Sequence, residues 1–309
     1  METRRLPVGT APDGSPGLAS ARRMIPVGSV FLCALLWSTS GLFIRLVDWH
    51  PMPIVGSRSL IAAAFLIALR RFSPAPAVRI RLGDAPLLFA CGLCYSAAMI
   101  LFVIANTMTN SANAILLQYA APVWASIMGL FFLGERPGRE QWAALFLVCV
   151  GMFFVFSGGL VSGSITGDAL ALLSGIAFAG TTVVLRSHRD KSPADIMIFS
   201  HLTCAVFSVP FFFPHPPAMT AHNLLCIAYM GVFQIGLASA LFAHGIRRVP
   251  VTQAMLVSSI EPVLNPLWVM LALGERPTPA VVLGGTIIIA AVAVSTVLAS
   301  LKTGNRGGS

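Results

Sequence analysis

The sequence predicts an all-α integral membrane protein, ten transmembrane helices arranged as two inverted five-helix repeats. Three observations predict it. First, the 309 residues are 56% hydrophobic and only 10% charged, whereas soluble domains carry about 25% charged residues. Second, one stretch is written twice. Ser111 to Pro137, SANAILLQYAAPVWASIMGLFFLGERP, returns without a gap as Val251 to Pro277, VTQAMLVSSIEPVLNPLWVMLALGERP. The offset is constant, since 262 minus 122 and 275 minus 135 both give 140. A repeat this long is no solenoid unit; it marks the duplication of half a membrane protein. Third, the Lys and Arg residues gather between apolar blocks on alternate loops.

A span needs about 20 apolar residues to cross the hydrocarbon core. Five fit the first half: Pro26–Ile44, Pro53–Leu69, Pro86–Ala105, Ala112–Leu133 and Trp142–Phe156. Five fit the second: Ala169–Leu185, Ile196–Phe213, Leu224–His244, Ala254–Leu273 and Val281–Leu298. The domain plan is therefore a polar tail over 1–23, a first repeat over 24–158, a second over 166–300 and a short tail over 301–309. The first tail, rich in Gly, Pro and Arg, reads as disordered. Arg22-Arg23 before an apolar run resembles a signal peptide, but no small-residue cleavage site follows, so the run reads as an uncleaved first helix.

Orientation follows from charge. With a cytoplasmic N-terminus, all of the 20 Lys and Arg fall inside except Arg45, Arg58 and Arg276. The excess of positive charge on cytoplasmic loops then places both termini inside. Five spans per half is an odd number, so the second half enters the membrane upside down relative to the first. Inverted repeats are a signature of secondary transporters, whose binding site lies near the midplane between the repeats.

The net charge of +9 is explained by this topology, and no nucleic acid partner is expected. All six cysteines fall in apolar blocks; Cys91 and Cys94 have redox spacing but lie within a span, as small buried hydrophobes. There is no His-Glu-x-x-His, no phosphate-binding Gly-rich Lys loop and no Gly-x-Ser-x-Gly. No metal and no cofactor are expected.

Glu261 is the acid placed deep in a span, about ten residues in and thus about 15 Å deep. A carboxylate there is costly and marks a cavity, a partner or a proton path, unless it is a fixed structural partner. Pro262 and Pro266 each remove an N–H bond to the carbonyl four residues back, and Pro122 does the same in the first copy. Paired interruptions at matching positions point to a transport site, although static kinks would look alike. Arg58, about 8 Å deep, is the counter-charge; it either snorkels outward or meets a substrate carboxylate or Glu261. The other polar candidates for substrate binding are Trp37, Ser38, Tyr95, Asn113, Gln118, Tyr119, Gln234, Ser258 and Asn265. Ser and Thr at this depth often bond only their own helix or a neighbour. His201 and His244 are each isolated in a span, where packing is the simpler role.

These residues carry a resemblance. Each half is similar to an EamA-type unit of the drug/metabolite transporter superfamily. The first copy has Ser111-Ala112-Asn113-Ala114, Pro122 and Leu133-Gly134-Glu135-Arg136; the second has Ala254, Glu261-Pro262 and Leu273-Gly274-Glu275-Arg276. Leu36-Trp37-Ser38 resembles the family's Leu-Trp-Gly with Ser38 in place of Gly, and the sixth span has Phe178 in the region of the corresponding Trp. The resemblance covers about Val27 to Ser300. It implies a ten-helix carrier with cytoplasmic ends and a cavity formed by the first, third and fourth helices and their counterparts.

The expected function is a secondary transporter of the bacterial inner membrane. It would export amino acids or related small polar metabolites by alternating access, with the halves rocking around Pro122 and Pro262. Its partners would be a small-molecule solute, the lipid bilayer and a proton as a coupling ion. The alternative is uptake of a planar solute, a vitamin or nucleoside, stacked by Trp37, Tyr95 and Tyr119. The remote alternative, an integral-membrane enzyme, lacks a paired acid–base or metal constellation at one depth.

Overall fold

The computed structural model describes residues 16–72, 85–109, 111–157, 164–189, 192–273 and 278–305. Ten helical stretches are long and apolar enough to cross a membrane. Spans 1 to 5 are built from α1 (Pro16–Trp37) with α2 (Ser40–Leu46), α3 (Pro51–Phe72), α4 (Ala85–Met108), α5 (Ser111–Gln118) with α6 (Ala121–Leu133), and α7 (Arg139–Phe156). Spans 6 to 8 are α8 (Ile165–Ser187), α9 (Pro193–Ser208), and α10 (Ala221–Tyr229) joined through a π-helical segment to α11 (Ala238–Ile246). Spans 9 and 10 are α12 (Val251–Ser258) with α13 (Glu261–Leu273), and α14 (Pro279–Asn305). Side chains such as Phe131, Phe132, Phe146 and Leu271 point outward and are exposed, as a lipid-facing belt requires.

Helix α1 already starts at Pro16, inside the stretch read as a disordered tail, and α14 runs on to Asn305. Elsewhere the spans lie within a few residues of the sequence reading.

The larger change concerns the prolines. The sequence suggested kinks that free mid-helix carbonyls. Instead, the fourth and ninth spans stop and restart. α5 ends at Gln118 and α6 begins at Ala121; α12 ends at Ser258 and α13 begins at Glu261. Pro122 and Pro262 thus sit in the first turn of a new helix, where a missing N–H costs nothing. The first span also breaks, at Ser38-Thr39, whereas its counterpart α8 is continuous. The eighth span carries the π-helical segment Met230–Leu237, and its counterpart α4 is continuous α-helix.

The two repeats do not form separate domains. The most extensive helix pairings all join one half to the other: α4 with α8, α7 with α14, α3 with α9, α1 with α11, and α6 with α12. Most of these pairings return as themselves or as one another when each span is exchanged for its counterpart, as an inverted repeat demands. The core therefore lies on the boundary between the halves.

The loops divide into two sets. One end of the bundle carries Arg70, Arg71, Arg139, Arg186, Arg189, Arg247 and Arg248; it is called the Arg-rich end below. The opposite end holds the turns 47–50 and 213–220.

Candidate functional site

A cavity of about 150 Å³ opens where the broken spans meet. Of the residues singled out from sequence, Trp37, Arg58, Tyr95, Gln118, Tyr119, Pro122, Gln234, Ser258 and Glu261 line it. Arg58 does not snorkel; it is 8% exposed, and a guanidinium nitrogen lies 3.8 Å from the Met99 sulfur. It is close enough to interact electrostatically with both Tyr95 and Glu261. Arg70 is ion-paired with Asp195 and Arg186 with Glu135, while no ion pair joins Arg58 to Glu261. The buried cation and the acid of the cavity therefore do not form a closed pair with each other.

Glu261 is the first residue of α13, half-buried, on a helix N-terminus whose partial positive charge favours a carboxylate. Tyr119 lines the same cavity. It lies in the break between α5 and α6, so both broken spans reach the cavity at their breaks. Gln118, one residue earlier, donates from Nε2 to the Ser174 hydroxyl at 2.9 Å, and that hydroxyl donates to the Ala98 carbonyl at 2.8 Å. The cavity wall of the fourth span is thereby fastened to α4 and α8. The carbonyl of Gln118 also abuts Gly175, where an added Cβ would stand 2.7 Å from it. Only glycine lets α5 come this close to α8.

Four candidates lie off the cavity. Ser38 is fully buried; it donates to the Leu35 carbonyl at 2.6 Å and accepts the indole N–H of Trp268 at 2.8 Å, so it joins α1 to α13. Pro262 is buried behind Glu261. Asn113 and Asn265 do not line the cavity, and Pro266 stands further along α13.

The sequence reading also missed residues that do line it. Met99 and Met255 are apolar and carry no signal of their own, Phe102 and Phe178 look like lipid-facing aromatics, and Ser239 hides in a run of small residues. Ser239 is bonded to His201, its hydroxyl 2.8 Å from Nε2, and the His201 ring stands edge-on to Tyr95 at 4.8 Å. His201 thus sits behind the wall, holding two lining residues. Trp37 packs edge-on against Phe178 at 5.9 Å and obliquely on Phe242 at 5.3 Å. The result is an aromatic flank on a cavity whose other polar lining is the cation Arg58, the acid Glu261, the amides of Gln118 and Gln234, and the hydroxyls of Tyr95, Tyr119 and four serines.

Among the described residues no group of His, Cys, Asp or Glu is arranged to hold a metal ion. The arrangement offers opposite charges at separate points, hydrogen-bonding groups and an aromatic face.

The chain is similar to known proteins. The model of the EamA-like transporter family matches residues 24–157 and again 165–297. An uncharacterized transporter of Bacillus subtilis (strain 168), YwfM, is 25% identical over 264 residues, covering 82% of this chain and 88% of the relative. An uncharacterized transporter of Archaeoglobus fulgidus is 23% identical over 279 residues, covering 86% and 95%. A solved crystal structure superposes with a TM-score of 0.80 at 20% identity, covering 89% of this chain and 98% of the other, and so shares the fold.

Proposed function

The chain belongs to the EamA-like transporter family, and from that premise we propose that it exports amino acids or related small zwitterions by alternating access. The membrane is the bacterial inner membrane, and both termini face the cytoplasm, because that orientation puts the Arg-rich end inside.

One observation carries the substrate class. Arg58 and Glu261 present opposite charges to one small cavity without being paired to each other. A buried charge left without its own partner is costly. A solute that brings both a carboxylate and an ammonium relieves both costs at once. Arg58 takes the carboxylate through its planar fork of N–H donors. The N-terminus of α6, which reaches the cavity at Ala121 and carries no acid of its own, adds a favourable field for the same group. Glu261 accepts from the ammonium, and Tyr119 holds the carboxylate in place. The aromatic flank of Trp37 and Phe178 covers the side chain of the solute.

Glu261 also supplies a route for coupling. In the empty carrier a proton on this carboxylate removes the buried charge, and the ammonium displaces that proton when solute binds. Exit of solute is then exchanged against protons.

The test uses purified protein in liposomes loaded with a mixed pool of radiolabelled amino acids and metabolites, with and without a pH gradient. Selective efflux of zwitterions is expected. Arg58→Gln should slow it by about tenfold to a hundredfold, as for loss of a charged hydrogen bond of ~1.5–3 kcal/mol. Equal transport by wild type, Arg58→Lys and Arg58→Gln would remove Arg58 from the site. Efflux indifferent to pH in wild type and Glu261→Gln would leave a facilitator. Competition by planar nucleobases but by no amino acid would replace the zwitterion reading with uptake of a planar solute.

A further inference from the structure

A tightly bonded polar cluster lies away from the cavity, at the Arg-rich end, and involves the Leu-Gly-Glu that closes the fourth span. Helix α6 ends in Gly134, whose φ of +66° is the left-handed conformation. The N–H of Glu135 returns to the carbonyl of Gly129 at 3.1 Å. This glycine turn ends the helix and swings the chain back toward the second half.

Glu135 then enters a socket. One carboxylate oxygen accepts from Arg186 Nε at 2.7 Å, and the other accepts the backbone N–H of Val251 at 2.8 Å. Val251 is the first residue of α12, so the carboxylate caps a helix N-terminus. Arg186 is 7% exposed, and its Nη1 donates to the carbonyls of Ile246 and Arg247, at 2.9 and 2.8 Å. The guanidinium is thus held by the C-terminal end of α11 whether or not Glu135 is present. Arg186, Ile246, Arg247 and Val251 all belong to the second repeat. Glu135 alone comes from the first.

The position is as informative as the chemistry. Val251 lies one helical turn from Met255, about 6 Å along α12. Met255 lines the cavity, whose wall extends the other way to Ile44 near the opposite end. The socket therefore lies directly beyond the cavity floor.

We propose that Glu135 is the plug of a gate at the Arg-rich end, and that it must leave the Arg186–Val251 socket each time the cavity opens to that side. A preformed socket in one half and a single plug from the other is a contact with two discrete states. The ion pair keeps the end closed while the cavity is accessible from the opposite side, and its rupture is a step of transport. This goes beyond the solute reading above and holds for any small solute.

The test reads access, not transport, so it is independent of the solute. The six native cysteines are replaced, and a reporter is introduced by Met255→Cys. A membrane-impermeant maleimide is added to each face of sealed vesicles in turn. In the otherwise wild-type protein, labelling from the Arg-rich face should be slow. Glu135→Gln should raise it by about tenfold or more, because it leaves the buried Arg186 guanidinium without its counter-charge and disfavours the closed arrangement. Arg186→Lys, which keeps the charge but not the fork geometry, should give a smaller rise in the same direction. Thermal melting in detergent is followed alongside. If Glu135→Gln lowers the melting temperature and leaves labelling from both faces unchanged, the pair is a static staple and the gate is wrong. If neither quantity changes, the gate is equally wrong. In a second arm, Glu135→Cys and Arg186→Cys are combined and bridged with a cleavable bifunctional thiol reagent. The bridge should block labelling at position 255 from the Arg-rich face, and reduction should restore it; a bridged protein still labelled there would overturn the proposal.

Discussion

The two copies of the repeated span, α5 with α6 and α12 with α13, share a backbone and differ in chemistry. At the first break the N–H groups of Tyr119, Ala120, Val123 and Trp124 bond to Ile115, Leu117, Ala120 and Ala120. At the second, Ser259, Ile260, Val263 and Leu264 bond to Met255, Val257, Ile260 and Ile260. Each of these bonds is the other shifted by 140 positions. The backbone break is thus a property of the repeat itself, set by a proline placed where it can start a helix but not continue one.

The side chains at that break have diverged. The second copy opens α13 with Glu261, while the first opens α6 with Ala121 and its neighbour Gln118 is tied into α8 through Ser174. Ser258, which matches Gln118, bonds only to the Ala254 carbonyl of its own helix at 3.0 Å. One break is fastened to the scaffold, and the other carries the acid. In the proposed mechanism the duplicated frame serves as a symmetric pivot, and the broken symmetry of its polar groups gives the cavity two distinguishable ends for a solute.

Three outcomes would sharpen or break this comparison. The largest concerns the acid. Glu261→Gln is expected to slow transport of an ammonium-bearing solute by about tenfold to a hundredfold, for ~1.5–3 kcal/mol of charged hydrogen bonding. Adding Gln118→Glu should not rescue it in the efflux assay, because position 118, though it lines the cavity, is tied to Ser174 of α8 and belongs to the other break. Rescue would show that the two breaks are interchangeable.

A smaller effect is expected at Gly175. An added methyl group stands 2.7 Å from the Gln118 carbonyl, so Gly175→Ala should cost ~1–3 kcal/mol as overpacking, read as a lower melting temperature in detergent. An unchanged melting temperature would mean that α5 is not seated on α8. The smallest difference separates the matched pair. Gln118→Ala should cost ~1 kcal/mol through loss of an interhelical bond, and Ser258→Ala less than about 0.5 kcal/mol, since its bond is within one helix. Equal costs in parallel melts would remove the distinction between a fastened and an unfastened break.

The same contrast shows what was legible in advance. Glu261, Arg58, Tyr119 and Gln118 stand out in sequence because a polar group at span depth is costly and conspicuous. Met99, Phe178 and Met255 do not, since apolar residues in a membrane helix look the same facing lipid, packing or a solute. Ser38 was conspicuous for the right reason and had the other role, a buried partner for Trp268. Glu135 stands in the repeated Leu-Gly-Glu-Arg, and nothing in that motif points to its partner Arg186, 51 residues away.

The sequence by itself determined the ten spans, the two inverted repeats and the place of the breaks. These depend on the apolar length needed to cross a bilayer, on the alternation of charged loops and on proline, all of which act over a few residues. Tertiary structure alone decided which polar residues converge on one cavity, that the breaks restart helices rather than bend them, and that Glu135 plugs into the other half. Those outcomes depend on contacts between distant segments, and no local pattern records which neighbour a side chain will meet.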